Sequence, residues 1–186
     1  MAQYALPTSD VSKTDWSEGA GNADANAFDE LDEGFGAGRG SGSGPDDATT
    51  YWLTTTDLAG LKLQHGNLTD PGVDTGHIVR QRTRKSAAAG QQQDHGVYWA
   101  KGSGSTRRGA IFTNVDEVWT TRAVTLTAQE VIDVVDYVDV ESENTIDEIG
   151  GGAGREAQDS AHECECPDAG APPVQASKMT LQGVGV

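Results

Sequence analysis

From Thr49 onward the chain alternates polar and apolar residues in short runs that are separated by turn residues. Successive side chains of an extended strand point to opposite faces, so a period of two indicates strands with one buried face. Runs of this kind, spaced roughly 8–12 residues apart, are typical of antiparallel sandwiches and barrels. The pattern predicts strands at about 50–55, 60–65, 76–85, 96–101, 109–113 and 118–126.

The pattern changes after residue 126. Thr127 and Glu130 have the spacing of a capping box, in which each side chain bonds the backbone N–H of the other residue. The apolar run that follows suits either a helix or a further strand. We expect a short helix to about Val134, then a last strand at 137–141 that can extend to Ile146.

Composition divides the chain into an N-terminal arm with a Gly-rich loop (1–48), a β-sandwich body (49–149) and an extended C-terminal tail (150–186). The fold class predicted is all-β, an antiparallel sandwich or jelly roll with two arms and one short helix. Terminal segments of this composition are ordered only when something holds them. We expect neighbouring subunits to do so, through the arm anchors Trp16, Phe28, Met179 and Leu181.

Charge is unevenly distributed along the chain. Between His77 and Arg108, seven cations and one acid give a net charge of +6, against −22 for the remainder. The 76–85 strand places three of its arginines on one face, because they alternate with other residues. This predicts a charge-mediated interface with an acidic partner. The alternative is a solvated face on which the aliphatic parts of the arginine and lysine side chains cover apolar surface. The cations concerned are Arg80, Arg82, Arg84, Lys85, Arg107 and Arg108.

The overall composition argues against some partners. A net charge of −16 and an isoelectric point near 4.4 oppose binding to nucleic acid, whose phosphates would be repelled. No run approaches the roughly 20 apolar residues of a membrane span. The first residues lack the basic and apolar regions of a secretory signal. We therefore expect neither nucleic acid nor membrane as a partner.

His162, Cys164 and Cys166 bring an imidazole and two thiols close together in the sequence. Zinc takes four such ligands, so these three are weak metal candidates that need a fourth ligand. An intermolecular disulfide and a plain solvated tail are the alternatives. We expect no metal and no cofactor.

Aromatic residues in the strands have two interpretations. Trp52 and Trp99 could form a platform on which a sugar ring stacks, or they could belong to the core. In Tyr51-Trp52 and Tyr98-Trp99 the neighbouring rings face opposite ways, so one ring of each pair is buried. Packing in the core is the favoured interpretation. No serine or cysteine lies in a nucleophile motif near the histidines, so we expect no enzymatic activity.

Three separated blocks resemble a family of small, jelly-roll-like structural proteins of tailed bacteriophages. The first is the opening segment with Trp16. The second is a Gly-His-x-x-Arg-x-Arg strand, and the third is a Trp-Thr pair followed by Leu-Thr-x-x-Gln. The second and third blocks comprise Gly76, His77, Arg80 and Arg82, then Trp119, Thr120, Leu126, Thr127 and Gln129.

The resemblance covers roughly residues 1–141 and implies a component of the virion. Small size, acidity and arms favour a capsid decoration (cement) protein that binds the major capsid protein as a homo-oligomer, for which we expect a trimer. Contacts made by several arms at once add up through multivalency. The alternative is a carbohydrate-binding β-sandwich of a phage tail or fibre. The Gly-rich segment 34–44 and the tail depart from the family pattern.

Overall fold

A computed structural model describes residues 2–19, 26–36, 45, 47, 50–56, 58–86, 92–102, 106–149 and 156–170. It contains eleven strands and one helix within these residues. In chain order they are β1 (Ala2–Ala5), β2 (Pro7–Thr14), β3 (Ser17–Glu18), β4 (Trp52–Thr54), β5 (Gly60–His65), β6 (Ile78–Lys85), β7 (Gln93–Lys101), β8 (Thr106–Phe112), β9 (Thr120–Thr125), α1 (Ala128–Val134), β10 (Glu141–Ile149) and β11 (Ala157–Pro167).

The strands form two antiparallel sheets. Sheet A has the order β3-β4-β11-β6-β9, with β1 also paired to β11, and sheet B has the order β2-β5-β10-β7-β8. From β4 onward the chain crosses repeatedly between the sheets, with the β7–β8 hairpin in sheet B. Strands β4 to β11 thus make two four-stranded layers, β4-β11-β6-β9 in sheet A and β5-β10-β7-β8 in sheet B. Two layers connected in this way form a jelly roll. The predicted all-β class, an antiparallel sandwich or jelly roll with one short helix, is therefore confirmed.

The core lies between the inner faces of the two sheets and consists of two apolar clusters. One surrounds Trp99, Val79 and Val134, and the other surrounds Leu61, Ile146 and Trp52. Along β6, buried and partly exposed residues alternate as the sequence predicts, with the three arginines on the outer face. Burial of one apolar face per strand is the main force that holds the two sheets together.

The helix also forms as predicted. The side-chain oxygen of Thr127 accepts a hydrogen bond from the backbone N–H of Glu130, and the carboxylate of Glu130 accepts one from the backbone N–H of Thr127. Val131 and Val134 are buried in the first apolar cluster. The helix therefore packs against the core through one face.

The N-terminal segment is part of the sandwich, which corrects its description as an arm held by neighbours. Strand β1 pairs with β11, β2 with β5, and β3 with β4. Trp16 is buried in the second cluster and Phe28 packs against that cluster. These anchors are therefore satisfied within the chain. Met179 and Leu181 lie outside the described residues.

Residues 157–167 form a strand inside sheet A, where the sequence predicted a tail. Strand β11 pairs with β6 along one side and with β4 and β1 along the other. Its inward positions carry histidine, aspartate and cysteine as well as alanine, so the strand lacks the apolar alternation that marks the others. A β-bulge between Asp159 and Ala161 also shifts the register. The proposed body boundary at 149 is therefore wrong.

Leu31 bonds the backbone of β11 in the gap between β4 and β1, which both pair with the same side of β11. The backbone N–H of His162 donates to the carbonyl oxygen of Leu31 at 3.1 Å, between the ladder to β4 and the ladder to β1. The turn that presents Leu31 is held by Asp10, whose carboxylate accepts hydrogen bonds from the backbone N–H groups of Ala27 and Phe28. The segment 26–31 is thus bound to both sheets.

Candidate functional site

A cleft of about 470 Å³ lies on the side of the sandwich where β8 ends sheet B and β9 ends sheet A. Its wall is formed by the end of β8, the connecting loop and the start of β9. The lining combines hydroxyl, amide and charged groups with an apolar corner. The lining residues are Ile111, Phe112, Thr113, Asn114, Val115, Asp116, Thr120, Thr121, Arg122 and Ala123.

The loop that shapes this cleft is fixed at three points. The backbone N–H of Asn114 donates to the Asp94 carboxylate at 2.8 Å, and that of Val115 donates to the carbonyl oxygen of Gln93 at 2.8 Å. The backbone N–H of Lys85 donates to the carbonyl oxygen of Asp116 at 3.0 Å. These bonds attach the loop to both sheets. A site held in this way loses little conformational freedom when a ligand binds.

Arg122 forms the inner wall of the cleft and is 6% exposed. Its Nη1 donates to the carbonyl oxygen and to the hydroxyl of Thr83, each at 2.8 Å, and to the carbonyl oxygen of Thr120 at 3.0 Å. Its Cζ lies 5.8 Å from the centre of the Phe112 ring. Burial lowers the pKa of Arg122 from its usual value, yet an arginine remains protonated in proteins. The wall therefore carries a fixed positive charge.

His95 and Gln93 lie on the inner face of β7 near this wall. Burial, and secondly the charge of Arg122, lower the pKa of His95 to about 3, so its ring is neutral at pH 7. Its Nδ1 and the side-chain nitrogen of Gln93 are buried without a hydrogen-bond partner among the described residues. The interior behind the cleft is thus polar and uncharged beside the guanidinium.

A second polar group, of Ser142, His162, Asp159, His65 and Asn144, is sealed between the sheets. Nδ1 of His65 faces the carbonyl oxygen of residue 5 at 3.1 Å and must donate. Burial lowers the pKa of His65 to about 3, so the ring is neutral and its Nε2 accepts a hydrogen bond from the Ser142 hydroxyl at 2.7 Å. The Ser142 oxygen then accepts from Nδ1 of His162 at 2.6 Å.

Serine, histidine and aspartate thus meet, but without the access that catalysis requires. Nε2 of His162 lies 2.6 Å from the Asp159 carboxylate, which also accepts a hydrogen bond from Asn144 at 2.7 Å. Ser142, His162 and Asp159 are all 0% exposed, and the serine proton is directed at His65. A nucleophile must reach a substrate and donate its proton to its base. The group therefore fits a structural network, and the expectation of no enzymatic activity stays a prediction.

The arginines predicted to form an interface are bound largely within the chain. Arg80 contacts Glu163 and Glu165, Arg82 forms a bidentate pair with Asp47, and Arg84 bonds the amide oxygen of Gln158. Arg107 pairs with Glu143, and Arg108 pairs with Asp133. Lys85 also has a partner in the chain. The acidic partner that their spacing predicts is thus present in the same molecule.

The predicted glycan platform does not form. Trp52 is 3% exposed and Trp99 is 0% exposed, because both indoles lie in the core between the sheets. Two rings nearer the surface are covered by arginines. The Arg84 guanidinium lies 4.5 Å from the Trp119 ring centre, and that of Arg107 lies 4.5 Å from the Tyr98 ring centre. Stacking on Trp52 or Trp99 is therefore excluded, and the favoured interpretation of them as core residues is correct.

The metal candidates lie on the inner face of β11. His162 uses both ring nitrogens in the buried network, and no disulfide joins Cys164 to Cys166. Burial raises the pKa of Cys164 well above its usual value and that of Cys166 to about 11, so both thiols stay protonated. Among the described residues, no group of three ligating side chains could hold a metal ion. The solvated-tail and intermolecular-disulfide interpretations are also wrong, because both thiols are buried.

Sequence reasoning did not single out the cleft. Its residues belong to two strands of different sheets and to the loop between them. One signal is present in the sequence: Arg122 lies in the Thr120–Thr125 strand between Thr121 and Ala123, which are both exposed. An inward arginine is unusual, because arginine is almost never fully buried unless it is paired. Recognising that position as inward required the register with β6.

No protein-family model and no curated protein matches the chain. Among solved structures, the fold is similar to SGBP-B from a complex xyloglucan utilization locus in Bacteroides uniformis, with 10% identity and a TM-score of 0.41. The match covers 83% of this chain and 46% of that chain, so the chain spans less than half of that protein. Similarity at this level carries no functional argument.

Within the described part of the chain, no helix has the length and apolar character needed to cross a membrane.

Proposed function

We propose that this chain is a carbohydrate-binding β-sandwich module that binds its ligand in the cleft between β8 and β9. The observation that carries the proposal is the mixed lining of this cleft on a fixed loop. Pockets for small molecules usually have volumes of about 300–1,000 Å³ and combine an apolar wall with a few placed polar groups. The cleft, at about 470 Å³, falls in that range.

The lining suits the chemistry of a sugar. A pyranose ring presents C–H groups on its faces and hydroxyl groups around its edge. Ile111 and Phe112 offer apolar contacts to such a face. Hydroxyl and amide groups around them can donate to or accept from ring hydroxyls, and they come from Thr113, Asn114, Thr120 and Thr121.

A variant that fills the cleft tests this proposal. Ala123 lines the cleft on edge strand β9 and is exposed, so Ala123→Trp should block the site without disturbing the core. We expect affinity electrophoresis against a polysaccharide panel to detect binding to at least one glycan. Ala123→Trp should weaken that binding by about tenfold or more, equivalent to about 1.4 kcal/mol.

The matched control is Ser12→Trp, which adds the same ring at an exposed position of β2, the opposite edge of sheet B. It should bind as the natural chain does, and both variants should unfold at similar temperatures. Equal binding by the two variants would show that the site lies elsewhere. Retention of no glycan at all by the natural chain would overturn the carbohydrate proposal.

A second candidate function, supported by the three sequence blocks, is the capsid decoration role with the major capsid protein as partner. Two of its physical arguments weaken, because the N-terminal segment and most of the interface arginines have partners in their own chain. This role predicts that particles stripped of the protein lose their contents at a lower temperature than complete particles, and that adding the protein back restores the difference. Equal melting of stripped and complete particles would refute it.

A further inference from the structure

We infer that the cleft selects a sugar that carries a carboxylate, such as a uronic acid, and that Arg122 binds this group. The inference rests on the proposed function of the cleft and specifies its ligand class. It depends on the unusual electrostatic position of one arginine. Neither the fold nor the three sequence blocks assign a role to this residue.

Arg122 differs from most other arginines in how its charge is balanced. The structure describes six arginines, and four of them form ion pairs with a carboxylate: Arg80, Arg82, Arg107 and Arg108. Arg84 instead bonds an amide and covers the Trp119 ring. Arg122 is the most buried of the six, and no carboxylate of the described residues lies within 4.0 Å of it. A buried charge without a contact counter-ion is costly, and an anionic ligand would remove that cost.

The hydrogen bonds of Arg122 leave one side of the guanidinium available. Its Nη1 supplies all three of its hydrogen bonds to described residues. Nε and Nη2 make none within the described part of the chain. The N–H bonds of these two nitrogens are parallel and lie along one edge of the planar guanidinium. They can therefore donate to the two oxygens of one carboxylate. The three Nη1 bonds meanwhile hold the group in place, so little ordering is needed on binding.

Other charged groups near the cleft affect how tightly it binds an anionic ligand. Asp116 on the exposed loop interacts with Arg122 over a longer distance, as does buried Asp159. Asp116 lines the cleft, so it repels an anionic ligand and limits its affinity. His95 is neutral and adds no charge. A neutral substitution of Asp116 should therefore strengthen binding of an acidic sugar, and such a gain cannot result from damage to the fold.

Alternatively, Arg122 serves structure alone, joining β9 to β6 through Thr83. The two roles predict different results for Arg122→Lys, which keeps the charge and loses the two-pronged geometry. A purely structural arginine would alter stability and leave the preference between acidic and neutral sugars unchanged. A carboxylate-binding arginine would lose that preference.

The experiment compares matched sugar pairs by isothermal titration calorimetry with the full chain. The probes are the methyl glycosides of glucuronate and glucose, and of galacturonate and galactose, which differ within each pair in the carboxylate. We expect at least one acidic sugar to bind about tenfold tighter than its neutral partner. The preference should shrink from about 0.1 M to about 1 M salt, where the screening length falls from about 10 Å to about 3 Å.

Three variants complete the test. Arg122→Lys should remove most of the preference, and Asp116→Asn should tighten acidic-sugar binding by about two- to fivefold. Lys101→Gln is the control for a charge change outside the cleft: it removes an exposed cation at the far end of the β7–β8 hairpin and should change neither value.

Distinct outcomes separate this inference from the proposed function. Equal binding of neutral and acidic sugars, or a preference that persists in Arg122→Lys, would overturn the carboxylate assignment and leave the glycan site intact. Acetate binding as tightly as the uronates would also overturn it, since the site would then recognise a carboxylate without its sugar. No binding of any of the four sugars or of the wider polysaccharide panel would overturn the proposed function itself.

Discussion

At the residue scale, the interior of this sandwich is unusual for its buried histidines. His65, His77, His95 and His162 are at most 1% exposed. Burial is the largest cause that lowers the pKa of His65 and of His95, each from 6.5 to about 3, and it also lowers that of His77. The fold therefore holds these three rings in the neutral form at pH values where an exposed histidine takes up a proton.

This arrangement predicts how stability depends on pH. Above pH 6.5 the folded and unfolded chains both carry neutral rings, so the stability contribution is fully present. As the pH falls from 6.5 toward 3, the unfolded chain binds protons that the folded chain does not. The free energy of unfolding should then decrease, at a limiting slope of about 1.4 kcal/mol per pH unit for each histidine. Urea denaturation between pH 6.5 and 5, above the usual carboxylate range, measures this slope.

His95→Gln isolates one of these contributions. It should lower stability at pH 7 but reduce the slope between pH 6.5 and 5, because one titrating ring is gone. The control is Val97→Ala, a neighbouring inward residue of β7, which should lower stability by about 1–3 kcal/mol and keep the natural slope. A full slope in His95→Gln would contradict the assignment of a neutral buried ring.

At the element scale, the first strands complete both sheets and belong to the folded unit. Strand β1 covers the end of β11, and the carbonyl oxygen of Ala5 accepts the hydrogen bond from buried His65. Strand β2 covers β5, which would otherwise be an edge of sheet B. Uncovered sheet edges invite pairing with other chains. The N-terminal strands therefore stabilise the fold and also protect it from aggregation.

Deletion of residues 2–6 tests this role. The deletion leaves the His65 donor without its acceptor and uncovers β11, so the free energy of unfolding should fall by about 1–3 kcal/mol or more. In the natural chain, hydrogen exchange should show protected amides in β1 and β2 in a dilute, monomeric sample. Protection that appears only at high protein concentration would restore the view that neighbouring subunits hold this segment.

At the scale of the whole molecule, folding brings cations of the basic segment 77–108 next to acids from other parts of the chain. Arg80 and Arg82 of β6 contact acids from β11 and from the segment before β4, so these cations of the basic segment are paired with acids of the same chain. The net charge of −16 remains and favours solubility. Among the described residues, Arg122 is a buried arginine that forms no ion pair, and its charge gives the cleft its electrostatic character.

The sequence alone determined the all-β class, the alternation of β6 and the capped helix, because each depends on local periodicity or on contacts between residues close in the chain. It did not reveal β11, whose inward His162 and Asp159 bond each other and the side chains of Ser142 and Asn144 on β10. Nor could the sequence distinguish arginines that bind a partner protein from arginines that pair with acids of the same chain. The cleft and the position of Arg122 depend on how β8, β9 and their loop meet across two sheets. Only the tertiary structure decides these features, because hydrogen bonds and burial there join residues far apart in the chain.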